Sequence, residues 1–341
     1  MEMQEAIRRL SARGDLQPEE MAEVMRTIMT GGATPAQIGG FLIGLGLKGE
    51  TVGEIAAAAG VMRELAERVE ADDVASLVDT CGTGGDASGT LNVSTAAAFV
   101  AAAGGAPVAK HGNRSVSSRS GSADLLEACG ASLALDSAGV GECLRRCGVG
   151  FLFAPQHHGA MRHAVGPRRE LGVRTLFNLL GPLTNPAGAQ RQLLGVFDAR
   201  WVRPVAEVLR ELGSVHVLVV HAEDGLDEIS IAAPTRVAEL RGGEVREYTL
   251  TPAELGLAEA PLSAVTVASA EDSLALIRAA FAGEPTPAAE LIAANAGAAL
   301  YVADRAASLR EGVERARELM ASGAAAEALE RFAATSRELA G

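Results

Sequence analysis

Apolar residues recur at helical spacing through residues 1–70 and give way to short apolar runs separated by helical stretches from residue 74 onward. Pro18 stands at a first-turn position ahead of Glu19, Glu20 and Met21, and Pro35 does the same ahead of Ile38, Phe41 and Leu42. Thr51 with Glu54 forms a capping-box pattern that opens a helix running to about Val69. The segment 40–47 is apolar on more than one face, which suits either an ordinary buried helix or a helix that also meets a partner subunit. Beyond residue 74 the pattern predicts strands at 76–80, 106–109, 149–153, 192–197 and 215–221, with helices at 93–103, 122–129, 138–147 and 201–212 between them. Residues 232–250 read as short strands around a Gly242-Gly243 turn, and three helices close the chain at 270–282, 286–302 and 305–339, the last with a break near Gly323. Such alternation implies an α/β fold with a mostly parallel central sheet and helices on both faces. Residues 157–186 interrupt the rhythm with a helical stretch bracketed by Gly and Pro. The expected organisation is a small all-helical domain at 1–73, joined by a helical excursion around 160–186, and a larger α/β domain at 74–341.

Chemistry concentrates just after the first strand. Residues 79–95 read Asp-Thr-Cys-Gly-Thr-Gly-Gly-Asp-Ala-Ser-Gly-Thr-Leu-Asn-Val-Ser-Thr, with glycines at 82, 84, 85 and 89 and a helix opening at Asn92, Ser94 and Thr95. A strand, a glycine loop and a helix start together make an anion site, because glycine admits positive φ and the first-turn N–H groups face the anion. The fragment from Gly82 also fits G-x-G-x-x-A. A dinucleotide site would need an acid roughly 20 positions further on, and no acid occurs before Asp124. A Walker A loop is excluded because no Gly-Lys-Ser/Thr follows. A diphosphate cradle remains, with Asp86 reaching a sugar hydroxyl or a metal-bound water.

Charge sharpens this reading. The chain of 341 residues carries a net charge of −13, yet residues 87–123 contain no Asp or Glu. That window holds Lys110, His111, Arg114 and Arg119, and Lys110 is one of only two lysines, the other being Lys48. Residues 110–122, Lys-His-Gly-Asn-Arg-Ser-Val-Ser-Ser-Arg-Ser-Gly-Ser, follow the second expected strand and are dense enough in cations and hydroxyls to meet several phosphate oxygens. A highly charged anion calls for Mg²⁺ as counter-charge. Asp227 and Glu228, after the strand at 215–221, are the expected ligands, with Ser94 adding a hydroxyl. Arg168, in the interrupting segment, suits a bidentate clamp on a carboxylate. His157, His158 and His163 lack zinc spacing. The pI near 5.0 argues against nucleic-acid or anionic-membrane binding. The apolar run 96–109 is too short and interrupted to span a bilayer. Cys81, Cys129, Cys143 and Cys147 form no C-x-x-C pair, which fits reduced thiols and a cytoplasmic location.

These stretches resemble the anthranilate phosphoribosyltransferase family over essentially the whole chain, on Asp79–Thr95, Lys110–Asp124, Arg168–Pro186 and Asp224–Ser230 in that order. The resemblance implies a helical lobe and an α/β lobe with the active site in the hinge cleft, and a homodimer formed through the helical lobes. It places phosphoribosyl diphosphate against Gly82, Gly85, Asp86, Thr90, Asn92, Val93, Ser94, Thr95, Lys110, His111, Gly112, Asn113, Arg114, Ser115, Val116, Ser117, Ser118 and Ser122. It places anthranilate against Gly82, Asn113 and Arg168, and Mg²⁺ on Ser94, Asp227 and Glu228. No residue is expected to act as a strong acid or base. Where family members often carry His-Pro-Ala-Met and Val-Ala-Pro-Val, this chain has His158-Gly159-Ala160-Met161 and Ala164-Val165-Gly166-Pro167. Pyrimidine nucleoside phosphorylases share the expected architecture, but they carry Lys-His-Ser-Thr where this chain has Asp79-Thr80-Cys81. A nucleic-acid-binding relative of the transferase would need a basic surface that this acidic chain lacks.

Overall fold

The computed structural model describes residues 1–86, 88–114 and 120–341. The chain opens with four helices, α1 (Met3–Ser11), α2 (Pro18–Met29), α3 (Pro35–Lys48) and α4 (Val52–Leu65). The prolines stand at the starts of α2 and α3 as expected, and Thr51 caps α4 by accepting the Glu54 N–H at 3.2 Å. Glu54 returns the bond to the Thr51 N–H at 2.9 Å, and its buried carboxylate also takes Lys48 Nζ at 2.8 Å and the Leu16 N–H at 2.9 Å. The capping glutamate thus ties α3 and α4 to the loop between α1 and α2. Helix α4 stops at Leu65 rather than near Val69. Ala66 is extended, and the Glu67 and Val69 N–H groups donate instead to His157 O at 2.8 Å and Pro186 O at 3.1 Å.

The rest of the chain runs β1 (Val78–Gly82), α5 (Val93–Ala103), β2 (Val108–Gly112), α6 (Ser122–Ala128), α7 (Ser137–Cys147), β3 (Val149–Phe153), α8 (Ala154–His157), α9 (Arg162–Leu171), α10 (Leu176–Leu180), β4 (Arg191–Gly195), α11 (Val202–Glu211), β5 (His216–Ala222), β6 (Thr235–Arg241), β7 (Glu244–Leu250), α12 (Ala270–Phe281), α13 (Pro287–Val302), α14 (Leu309–Ala321) and α15 (Ala324–Ala340). The sheet order is β3-β2-β1-β4-β5-β6-β7, parallel through β5 and antiparallel beyond. The Gly242-Gly243 turn joins β6 to β7 with both residues at positive φ. The closing segment holds four helices, because the break at Gly323 separates α14 from α15. Strands β1 and β2 run two and three residues further than their sequence suggests, so Lys110, His111 and Gly112 lie in a strand and not in a loop. Glycine has poor intrinsic strand preference, but neighbouring strands extend the ladder to Gly82↔Gly195 and Gly112↔Phe153.

Alternate residues of the central strands feed two cores. Leu193, Leu218 and Val220 face α5, α12 and α13, whereas Leu194, Val217 and Val219 join α10, α11 and the N-terminal bundle in one continuous apolar cluster. The excursion returns to the bundle, with α9 against α3 and α2 and α10 against α4. Pro167 sits inside α9, which ends at Gly172 in the left-handed region. Among the described residues no helix is long and apolar enough to cross a membrane.

Candidate active site

Strand β1 lies between β2 and β4, so the chain leaves β1 toward one side of the sheet and later resumes on the other. In open α/β sheets, ligands bind at the carboxyl ends of strands where the order reverses in this way. Here the loop after β1 meets the loop after β5. The Gly84 N–H donates to Asp227 Oδ2 at 3.0 Å, the Thr83 N–H donates to Gly195 O at 2.8 Å, and the Phe197 N–H donates to Thr83 Oγ1 at 2.9 Å. Gly84, Gly85 and Gly89 take φ of +65°, +81° and +63°, as a glycine cradle requires. Gly82 and Gly195 are cross-strand partners under the Asp227 segment. A Cβ on Gly82 would stand 2.7 Å from Asp227 Oδ2, and one on Gly195 would stand 1.5 Å from the Asp227 carbonyl oxygen. Gly195 is a site residue that the motif reading passed over. The only local signal for it is a glycine at the end of an expected strand.

The N-terminus of α5 closes the cradle. The Ser94 backbone faces the Glu228 carboxyl, and Ser94 Oγ accepts from Lys110 Nζ at 3.1 Å. Thr95 Oγ1 is buried and has no hydrogen-bond partner among the described residues. The Val93 N–H turns back to Leu91 O at 2.7 Å. Asp86 accepts from the Ser88 N–H at 3.3 Å, and the Ser88 and Thr90 hydroxyls lie 3.2 Å apart. Asn92 is held by Ser120 and Ser273. Lys110 is buried in β2, where its ammonium also donates to Thr80 O. Burial pushes its pKa down, and the charge of Asp79 opposes this most strongly. Asp79 is itself buried and accepts from Asn185 Nδ2 at 2.8 Å and from the His111 N–H at 3.2 Å.

Both carboxyls of the Asp227-Glu228 pair are pushed up. Burial is the main cause in each case, reinforced by the charge of Asp86 for Asp227 and by the charge of Asp227 for Glu228. Buried acids crowded with Asp86 and answered by Lys110 fit a divalent cation as added counter-charge. Among the described residues no three His, Cys, Asp or Glu side chains converge as a complete cage. That donor set matches Mg²⁺, which takes one or two carboxylates and completes its shell with phosphate oxygens and water.

On the excursion side, Arg168 is half-buried with its guanidinium 5.2 Å from the Phe177 ring centre, and burial alone pushes its pKa down. It forms no ion pair among the described residues, so a guanidinium stands ready for a carboxylate. Arg174, six positions on, was not expected from sequence. It donates to Gly85 O and stacks 4.3 Å from the Phe197 ring centre, linking the excursion to the glycine loop. Asn113 is exposed, with Oδ1 accepting from the Arg114 N–H at 2.7 Å. Arg114 pairs with Glu127 at 2.6 Å and lies over the Phe153 ring. Ser122 opens α6 and packs beneath Gly112. Ser115, Val116, Ser117 and Ser118 lie outside the described residues.

His111 and His158 pack with ring centres 5.0 Å apart, and the Nε2 of each is buried without a partner among the described residues. Burial, reinforced by neighbouring histidines, lowers the pKa to about 3 for His111 and about 4 for His158. Both rings are therefore neutral at pH 7. Because the unfolded chain protonates near 6.5 and the folded rings do not, this stability is fully present above pH 6.5 and is lost as pH falls toward those folded values. Each ring should cost about 1.4 kcal/mol per pH unit over that range. His158→Gln should reduce the slope of unfolding free energy between pH 6.5 and 5 by about that amount, as measured by urea titration at several pH values. An unchanged slope would show that His158 does not resist protonation in the fold.

Two family models match, a glycosyl transferase family helical bundle domain at residues 4–66 and a glycosyl transferase family a/b domain at residues 74–326. An anthranilate phosphoribosyltransferase of Halorhodospira halophila is 74% identical over 341 residues, covering 100% of both chains. The chain belongs to the anthranilate phosphoribosyltransferase family. An anthranilate phosphoribosyltransferase of this family from Thermus thermophilus superposes with a TM-score of 0.92 at 49% identity, covering 97% of this chain and 99% of that one. The Saccharomyces cerevisiae anthranilate phosphoribosyltransferase in complex with PRPP and Mg superposes with a TM-score of 0.89 at 26% identity, covering 99% and 98%.

Proposed function

We infer that the chain transfers the 5-phosphoribosyl group of 5-phosphoribosyl 1-diphosphate to the amino nitrogen of anthranilate, giving N-(5-phosphoribosyl)anthranilate and diphosphate in tryptophan biosynthesis. The observation that carries this reading is the meeting of glycine loop, helix N-terminus and cation-seeking acid pair at the sheet's reversal point, in a chain related over its full length to an anthranilate phosphoribosyltransferase. The donor would lie along Gly82, Gly85, Asp86, Thr90 and Asn92–Thr95 and under Lys110–Ser118, with Ser122 beside it. Mg²⁺ held by Asp227, Glu228 and Ser94 would supply counter-charge to the departing diphosphate. Lys110 fixes the Ser94 hydroxyl by donating to it, which leaves a lone pair on Oγ free to face a cation.

Arg168 would grip the anthranilate carboxylate, with Gly82 and Asn113 beside it. The arylamine is neutral at pH 7 and attacks through its own lone pair as the glycosidic bond loosens toward an oxocarbenium-like transition state. Catalysis then rests on holding amine and C1 in line and on meeting the leaving group's charge with backbone N–H groups. The outer face of α3, where Ile43 and Leu47 stand exposed, is the surface we propose for a homodimer. A reduced cytoplasmic setting fits the four free cysteines.

Anthranilate fluorescence provides the assay. Its loss should require the diphosphate donor and stop on addition of EDTA, and a flat trace from folded protein would refute the reading. Arg168→Ala should raise the anthranilate KM by roughly 10- to 100-fold, the worth of a charge-assisted contact, and leave the donor KM within about twofold. A rise in both constants would remove Arg168 from the acceptor site.

A further inference from the structure

Ser273 lies on α12, far along the chain from the glycine loop, and is fully buried. Its hydroxyl accepts the Asn92 backbone N–H at 3.0 Å and lies 2.8 Å from Asn92 Oδ1. A serine hydroxyl has one hydrogen. Having accepted the backbone N–H, Ser273 gives that hydrogen to Oδ1. Oδ1 faces α12, and Ser120 fixes the assignment, because its carbonyl oxygen can only accept and so takes Nδ2. Ser120 reads the amide the same way, with its Oγ donating to Oδ1 at 3.0 Å and its carbonyl accepting from Nδ2 at 3.2 Å. Oδ1 is thereby saturated, and Nδ2 keeps its second N–H for another acceptor.

The same region braces the loop's exit. The Leu91 N–H donates to Val265 O at 3.0 Å, the Val267 N–H donates to Gly89 O at 2.9 Å, and Thr90 bridges Thr266. Residues 265–273 thus grip the glycine loop from its last glycine to the residue that precedes α5.

We propose that Ser273 is a positioning residue for the phosphoribosyl diphosphate site, fixing the Asn92 amide so that it presents an N–H to an oxygen of the donor. The proposal rests on the reading of Asn92 as a donor-site residue given above. Ser273 touches no substrate and acts only through Asn92. Without its hydroxyl, the Asn92 N–H loses its acceptor and the amide keeps only its two bonds to Ser120.

Steady-state kinetics of the full chain with Mg²⁺ tests this with Ser273→Ala, the volume-conserving Ser273→Cys, Asn92→Ala and the Asn92→Ala/Ser273→Ala pair. Ser273→Ala and Ser273→Cys should each raise the donor KM about tenfold, the equivalent of one hydrogen bond, with the anthranilate KM within about twofold. In the Asn92→Ala background, Ser273→Ala should change the donor KM by less than about twofold, because the side-chain amide it orients is gone. An unchanged donor KM in both serine variants overturns the proposal. So does an equal rise in both KM values, or a full effect in the Asn92→Ala background. If Asn92→Ala alone leaves the donor KM unchanged, the donor-site reading of Asn92 falls first and takes the proposal with it.

Discussion

Gly195→Ala should reduce kcat/KM by roughly 100-fold or more, the cost expected when a catalytic constellation is displaced by about 1 Å. The added methyl would sit 1.5 Å from the Asp227 carbonyl oxygen and 2.5 Å from its carbonyl carbon. No rotamer relieves a Cβ, so the 227 segment must move. Asp227 Oδ2 holds the Gly84 N–H and Glu228 faces the Ser94 backbone, so the movement disturbs the glycine loop and the start of α5 together. Gly60→Ala is the matched control, since a methyl there meets nothing within 4 Å inside α4 and should leave activity at the wild-type level. Rates within threefold of wild type for Gly195→Ala would show that the 227 segment yields freely and that its present position is not required.

Lys110→Met should destabilise the fold by about 3–5 kcal/mol, the usual cost of stripping one partner from a buried charge cluster, and should abolish donor binding. Lys110 is the cation facing Asp79, Glu228 and Asp227, and all four are buried. Methionine keeps the length of the stem and removes the donor to Thr80 O and Ser94 Oγ. Urea unfolding reads the stability, and calorimetric titration with phosphoribosyl diphosphate reads the binding. An unchanged unfolding midpoint would mean that the acids carry no net charge in the folded chain.

The strand, glycine loop and helix start were legible because each is a local pattern, and the acid-free window pointed to the same place. The helical bundle was legible for the same reason, through Pro18, Pro35 and the Thr51–Glu54 cap. What escaped was set by distant partners. Gly195 is required by the backbone at 227, Asn185 by the carboxylate of Asp79, Arg174 by the carbonyl of Gly85, and Ser273 by Asn92. No spacing along the chain announces such contacts. Strands β1 and β2 run past the ends their residues suggest, because glycine and charged residues read as loop while the ladder with β4 and β3 carries Gly82 and Lys110–Gly112 into the sheet. Helix α4 ends short of Val69 because the N–H groups of Glu67 and Val69 find carbonyls at His157 and Pro186, which no helical pattern encodes.

The grip of residues 265–273 on the glycine loop bears on how the protein is made. A nascent chain that has exposed the whole of β1, α5 and β2 holds the glycines of the 82–89 loop and the hydroxyls of Thr90, Ser94 and Thr95, yet it still lacks the serine that accepts the Asn92 N–H and the carbonyl that receives Leu91. Contacts so far apart in sequence form late, after the loops between them have closed. A ligand that needs those contacts would add its binding energy only to the finished chain. In the cell, phosphoribosyl diphosphate would act as a selective stabiliser of completed molecules, shielding them from proteases while truncated products are left unprotected.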